Sequence, residues 1–249
     1  MEGMTLLGTS GLVKNYAGRT VVNEVSITIA QRSIVGLLGR NGAGKTTSFR
    51  MIMGMIIPDG GNVIFEGRDI TKFPMYKRAR LGIGYLSQEP SIFQRLSVRD
   101  NLLAILETMS LTGAERRRKA DMLIEHFSLK EVANSHGRFL SGGERRKLEI
   151  ARAMVTDPSL ILLDEPFSGV DPIAVEDLQR EIRRLVASGV SILITDHNVE
   201  RTLEVVDKAY IIDHGKVIGA GAPADIVRDQ TVRKLYLGNT FNGDEFDQN

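Results

Sequence analysis

The chain has 249 residues, of which 42% are hydrophobic and 25% charged, an ordinary globular mixture with enough apolar material for a substantial core. Its net charge of +1 leaves no broad basic field and argues against nucleic acid as a partner, and the lack of cysteine excludes disulfides and thiolate metal sites. No basic flank opens a long apolar run in Met1–Ser10, and the best apolar stretches, Ile34–Leu38 and Leu160–Leu163, fall far short of the roughly 20 residues of a spanning helix, so a soluble protein of one large or two small domains is expected.

In chain order, Val21–Ile29 alternates like a half-buried strand, and Ser33–Leu38 is a continuous apolar strand running into a glycine-rich turn. Thr46–Met55 has helical spacing, with Phe49, Ile52 and Met53 on one face. The turn Pro58-Asp59-Gly60-Gly61 leads into a strand at Asn62–Phe65. From about Ser97 to Val155 the pattern is helical, over Asn101–Leu106, Ala114–Phe127 and Glu144–Val155, and the basic segment Glu115–Lys119 reads as a solvated helix face. Alternation then resumes: strand Leu160–Leu163, helix Val175–Ala187, strand Val190–Thr195, helix Asn198–Val205, strand Ala209–Ile212. Strands alternating with helices predict an α/β fold, a mostly parallel sheet covered on both faces, with the helical middle inserted into it. Asn239–Asn249, polar and acidic, is expected to form a loose tail.

Gly39-Arg40-Asn41-Gly42-Ala43-Gly44-Lys45-Thr46 has the spacing of a phosphate-binding P-loop, between a buried strand and an amphipathic helix. The glycines let successive backbone N–H groups turn toward one point, and the helix adds the positive end of its dipole. Lys45 supplies a point charge for the β- and γ-phosphates, and the Thr46 hydroxyl is placed for Mg²⁺. The apolar strand Ser159–Asp164 delivers Asp164 and Glu165 to the sheet edge where ligands bind. Asp164 can hold a Mg²⁺ shell while Glu165 polarises a water as general base. Alone the pair could be a solvated turn; beside a P-loop the chemical reading is favoured. Ser141-Gly142-Gly143-Glu144, at the start of a helix, is either a second anion cradle or an ordinary helix cap. Of the four histidines only His197 follows a core strand, whereas His126, His136 and His214 read as solvated surface.

These motifs, in this order, resemble the ATP-binding cassette (ABC) family over about Thr5 to Gly238. Leu140–Glu144 resembles the family signature LSGGQ, with Glu144 in place of glutamine. In that family the signature of one subunit closes on ATP held by the P-loop of the other. The resemblance therefore implies a homodimer sandwiching two ATP, with Mg²⁺. It implies that Tyr16 stacks on adenine, although a turn aromatic fits the residues as well. Gly39, Arg40, Asn41, Gly42, Ala43, Gly44, Lys45, Thr46 and Thr47 would cradle the phosphates, joined by Ser141, Gly142, Gly143 and Glu144 of the partner. The implied catalytic set is Glu165, His197 as γ-phosphate sensor, and Gln88; the implied metal set is Thr46, Gln88 and Asp164. Ser168-Gly169-Val170-Asp171 would cross the dimer interface. The implied fold is a P-loop NTPase (ABC ATPase) core with a mostly parallel sheet, an antiparallel β subdomain and an inserted helical subdomain at about 89–158, within a domain spanning 5–238. Arg40 stands where the family commonly has proline, and either loosens the turn or adds a phosphate-facing charge.

Ala79–Glu89, Ser91–Val98, Leu193–Val199 and Val232–Gly238 are similar to the ATPase subunits of lipopolysaccharide export systems, which carry proline where Ser87 stands and a basic residue where Gln94 stands. The ATPases of branched-chain amino-acid importers share a Tyr-Leu-Gly ending and are the alternative. A chromosome-associated ABC ATPase would carry long coiled coils, and no heptads are sustained here. A metabolic P-loop kinase has no use for a second cradle. The export resemblance implies a cytoplasmic protein, peripheral on the inner membrane, that contacts integral permease subunits through Gln88–Arg99. There Ile92, Phe93 and Leu96 are expected to offer an apolar groove.

Overall fold

A computed structural model describes residues 4–89, 91–169 and 171–237. The tail 239–249, the domain end at Gly238, Val170 of the interface loop and position 90 of the permease-contacting segment lie outside the described residues. The first half runs β1 (Thr5–Tyr16), β2 (Arg19–Val25), β3 (Thr28–Ala30), β4 (Ile34–Gly39), α1 (Lys45–Met53), β5 (Gly60–Phe65), β6 (Arg68–Asp69), α2 (Met75–Arg80) and β7 (Ile83–Leu86). Then come α3 (Val98–Leu106), α4 (Gly113–His126), α5 (Gly142–Met154), β8 (Leu160–Asp164), α6 (Pro172–Ala187), β9 (Ser191–Asp196) and α7 (Val199–Leu203). The chain continues through β10 (Lys208–Asp213), β11 (Lys216–Gly221), α8 (Pro223–Arg228), α9 (Gln230–Val232) and a π-helical turn, Arg233–Leu237.

The central sheet has the order β11-β10-β4-β9-β8-β7, parallel throughout except for β11. Its strands read as unbroken apolar runs because both faces are covered. On β4, β8, β9 and β10 successive side chains divide between two cores. Ile34, Leu38, Ile161, Leu163, Ile192, Ile194 and Ile211 join the helical insertion and α6, while Val35, Leu37, Leu162, Leu193 and Ile212 join α1 and the second sheet. That second sheet is antiparallel, in the order β2-β1-β5-β6, with β3 pairing β1. Between the neighbouring strands β7 and β8 the regular elements of the described chain are helices joined by loops, with a single Ser97–His136 bridge.

Three expectations are corrected. The expected strand Val21–Ile29 is two strands, broken after Val25, where Glu24 takes a left-handed backbone (φ 57°) and both pieces pair with β1. Ile92 does not line an open groove; it is only 8% exposed and packs in the core with Val98 and Leu102. His126 is not simply solvated: its Nε2 lies 3.8 Å from Glu181 on α6, and its ring meets Phe127 edge-on at 4.8 Å.

Candidate functional site

β4 ends inside the molecule, and the chain must reverse at once into α1. Gly39 takes φ 155° against β10, where a Cβ would lie 2.2 Å from the Ile212 carbonyl oxygen. Gly44 takes φ 107° with the Val21 carbonyl oxygen 2.8 Å from where a Cβ would be. Only glycine satisfies both the left-handed backbone and the close approach. α1 starts with no side-chain cap and no acidic residue in its first turn, so its leading N–H groups and dipole are open to an anion. Lys45 is 5% exposed, and its ammonium donates to the carbonyls of Gly39 and Arg40. Burial lowers its pKa from the usual lysine range, against the opposing pull of the Glu165, Asp196 and Asp164 carboxylates. Arg40, Asn41 and Thr46 are exposed and Thr47 half-buried, while Ala43 is buried beneath the loop. Tyr16 ends β1 and is 45% exposed, with the Lys14 ammonium 5.6 Å from its ring centre.

The carboxylates arrive on the adjacent strand tips. Asp164 accepts a hydrogen bond from the Thr195 hydroxyl at 2.7 Å across the β8–β9 pair. Glu165 takes a left-handed backbone (φ 45°), a conformation that side-chain-bearing residues adopt at a cost of about 1 kcal/mol or more. Its N–H is held by the Thr195 carbonyl at 2.7 Å. Two side chains converge on its Oε2: the Gln88 amide donates at 3.1 Å, and His197 Nδ1 sits at 3.2 Å. The three catalytic residues expected from sequence are thus brought together.

Ser141–Glu144 lies apart, at the N-terminus of α5. Ser141 is the N-cap, and a capping box forms: the Glu144 N–H donates to the Ser141 hydroxyl, and Glu144 Oε2 accepts from the Ser141 N–H at 2.8 Å and hydroxyl at 2.7 Å. These bonds hold the Glu144 carboxyl pKa below the usual range. Ser141 thus caps the helix, and Gly142 and Gly143 remain exposed beside it. A cleft of about 420 Å³ separates this helix from Glu165, lined by Gln88, Ser141, Gly143, Glu165, Ser168 and Asp171, among others. Gly39–Thr47 does not line it.

Known proteins resemble this chain in sequence and fold. The ABC transporter family matches residues 22–168. The chain is 51% identical over 236 residues to the lipopolysaccharide export system ATP-binding protein LptB of Acidithiobacillus ferridurans, covering 95% of this chain and 98% of that one. It is 51% identical over 239 residues to the protein of that name in Escherichia coli (strain K12), covering 96% and 99%. The ADP conformation of an ATP-binding cassette of an ABC transporter superposes with a TM-score of 0.86 at 27% identity, over 94% of this chain and 99% of that one. The chain belongs to the ABC transporter family. It is an ATP-hydrolysing subunit of that family.

In this ABC ATPase α5 grips the segment between Gln88 and the insertion. Arg146 donates to the Ser87 carbonyl at 3.4 Å and to Glu149 at 2.9 Å. Glu149 accepts the Ser91 N–H at 3.3 Å, and Arg152 donates to the Ser91 carbonyl. From α3 the fully buried Asn101 accepts the Phe93 N–H at 2.8 Å and donates to the carbonyls of Phe93 and Ser97. Phe93 is left 47% exposed, its ring 4.7 Å from the Arg152 guanidinium, and Leu96 is 37% exposed.

Sequence reasoning passed over two residues at this site. Asp196 is fully buried; one oxygen accepts the N–H groups of His197 (2.7 Å) and Asn198 (2.8 Å), and the other accepts the Phe167 N–H at 3.2 Å. It fixes both His197 and the turn after Glu165. Its signal was available: like Asp164, it ends a buried apolar strand. The second is Tyr236, whose hydroxyl accepts the Gly39 N–H at 3.1 Å. Nothing local to Tyr236 announces that contact.

Proposed function

We propose that this ABC ATPase powers lipopolysaccharide export from the inner membrane, as a homodimer that closes on two Mg-ATP against integral permease subunits. The observation that carries the substrate is the 51% identity, over nearly the whole length of both chains, to relatives named for that export system. The sandwich is supported by a signature that faces a cleft away from the P-loop of its own chain. A second copy would bring Ser141, Gly142 and Gly143 onto ATP cradled by residues 39–47, with Tyr16 against the adenine.

The residues present fit Mg²⁺. Thr46, Gln88 and Asp164 offer hydroxyl, amide and carboxylate oxygens, the hard donors this ion takes alongside phosphate. Bound there, it would neutralise charge developing on the β- and γ-phosphates. Lys45 would exchange the Gly39 and Arg40 carbonyls for phosphate oxygens. Glu165 accepts a proton from the attacking water, with Gln88 and His197 orienting its carboxylate. The Ser141 hydroxyl leaves Glu144 to donate to the γ-phosphate, and the capping N–H contact persists. Closure is passed through Arg146, Glu149 and Arg152 to the Phe93 segment, the surface that meets the permease. No helix among the described residues is long and apolar enough to cross a membrane, and the export reading puts the attachment at the periphery of the inner membrane, on its cytoplasmic face.

Two measurements test this. Mixing Ser141→Arg and Lys45→Ala chains leaves one intact and one doubly defective site per mixed dimer, so mixing should restore partial ATP-driven dimerisation. A Ser141→Arg chain that dimerises normally with ATP would overturn the sandwich. Copurification from Gram-negative membranes should recover permease subunits carrying lipopolysaccharide, identified by mass spectrometry. Recovery of an amino-acid importer instead would overturn the substrate.

A further inference from the structure

The β4–β9 ladder ends at the pair Leu38–Asp196, and Gly39 is the last residue of β4. There the hydroxyl of Tyr236 accepts the Gly39 N–H, at 3.1 Å. Tyr236 reaches it from the cluster of the helical insertion and α6, on the opposite face of the sheet from α1. Gly39 is therefore pinned three ways: its N–H by Tyr236, its carbonyl by the Lys45 ammonium, and its Cα against Ile212. The phenol is driven up to about 12 by burial, with Asp196 adding to the shift, so it stays protonated through the physiological range. The turn that carries it is itself anchored: Asp229 caps α9 through the N–H groups of Thr231 and Val232, and Val232 is buried against Gly219 of β11.

We propose that Tyr236 is a positioning residue for nucleotide binding, fixing the first peptide of the P-loop and coupling the C-terminal turn to occupancy of the phosphate site. Tyr236→Phe keeps the ring and removes only the acceptor. Losing that acceptor loosens the hold on the Gly39 peptide, and the Gly39–Lys45 contact and cradle shift with it. The P-loop grips phosphate in ground and transition states alike, so the loss falls on KM. KM for ATP should rise about three- to tenfold with kcat within about twofold. Val63→Ala, in the buried face of β5, serves as a control for general loosening: at a matched or larger drop in Tm its KM should stay at the parental value. Coupling is reciprocal, so phosphate occupancy must also order the turn. ADP, which fills the P-loop without requiring closure of two chains, should slow tryptic cleavage at the exposed Arg233 and Lys234 of the parental protein, and should not do so in a folded Tyr236→Phe. An unchanged KM in folded Tyr236→Phe, or an equal rise in Val63→Ala, overturns the proposal. If Tyr236→Phe does not fold, the parental cleavage experiment decides alone, and an ADP-independent rate overturns it.

Discussion

Asp196→Asn separates positioning from binding. The substitution keeps the shape of a fully buried side chain and converts one oxygen to an amide nitrogen. The oxygen that remains can still hold the N–H groups of His197 and Asn198, which lie 2.7 and 2.8 Å away. The nitrogen then faces the Phe167 N–H, donor against donor, where a bond of 3.2 Å stood. Losing one charge-assisted bond and leaving a buried N–H unmatched should cost roughly 2–4 kcal/mol. At about 2–4 °C per kcal/mol for a chain of this size, Tm should fall by roughly 5–15 °C. Phe167 lies two residues after Glu165, the proposed general base, which then loses its tether, and a displacement near 1 Å lowers the rate by up to about 10²-fold. The P-loop backbone is untouched, so KM for ATP should stay within about threefold. A coupled ATPase assay of the isolated chain, run well below the lowered Tm, reads both constants. A variant that retained the parental kcat after the expected drop in Tm, or whose rate loss lay wholly in KM, would refute the reasoning.

Arg78 is 1% exposed and donates to the carbonyls of Met51, Ile52, Thr71 and Phe73, closing the C-terminal end of α1. Arg78→Lys cannot reach all four, and thermal melts should show a loss of about 2–3 kcal/mol, or roughly 4–12 °C; a shift under 2 °C would be incompatible with that role. Alkaline stability should carry the mark of Tyr236: its phenol titrates near 12 in the folded chain and about 10 when unfolded, so the unfolded form loses its proton first. Its contribution is intact below pH ~10 and falls by about 2–3 kcal/mol by pH ~12. Urea titrations should therefore show a shallower alkaline decline in Tyr236→Phe than in the parent; equal slopes would contradict it. Phe93→Ala should leave folding and ATP binding intact while weakening copurification with the permease by about 2 kcal/mol, near 30-fold, and undiminished copurification would remove Phe93 from that surface.

What the sequence discloses depends on whether the cause is local. β4, β8 and β9 are legible because strands buried on both faces must be apolar throughout, and the P-loop because its glycines and helix are contiguous. β1 is not legible, although at 12 residues it is the longest strand of the antiparallel sheet. Gly8, Thr9, Ser10 and Gly11 break its alternation, and it is held by pairing with β2, β3 and β5. Arg78 sits in a basic run, Lys77-Arg78-Ala79-Arg80, that reads as surface; only the α1 carbonyls, distant in sequence, explain its burial. Glu165 is legible from its place after an apolar strand beside the P-loop, and the roles of Gln88 and His197 come through family resemblance, whereas Tyr236 acts on a backbone N–H far along the chain, where residue type alone gives no clue.

The insertion leaves from β7 and returns to its immediate neighbour β8, so Ile83 must find Leu160 across the entire helical excursion. Closing so long a loop carries an entropy penalty, and contacts this distant in sequence form slowly. The helices α3, α4 and α5 draw the ends of that excursion together before the strands meet. Refolding is therefore expected to complete the β4–β9–β8 centre ahead of its β7 edge. Gln88, two residues past β7, would be the last member of the catalytic trio to arrive, and a newly made chain would hold its nucleotide cradle before it could engage a partner in the membrane.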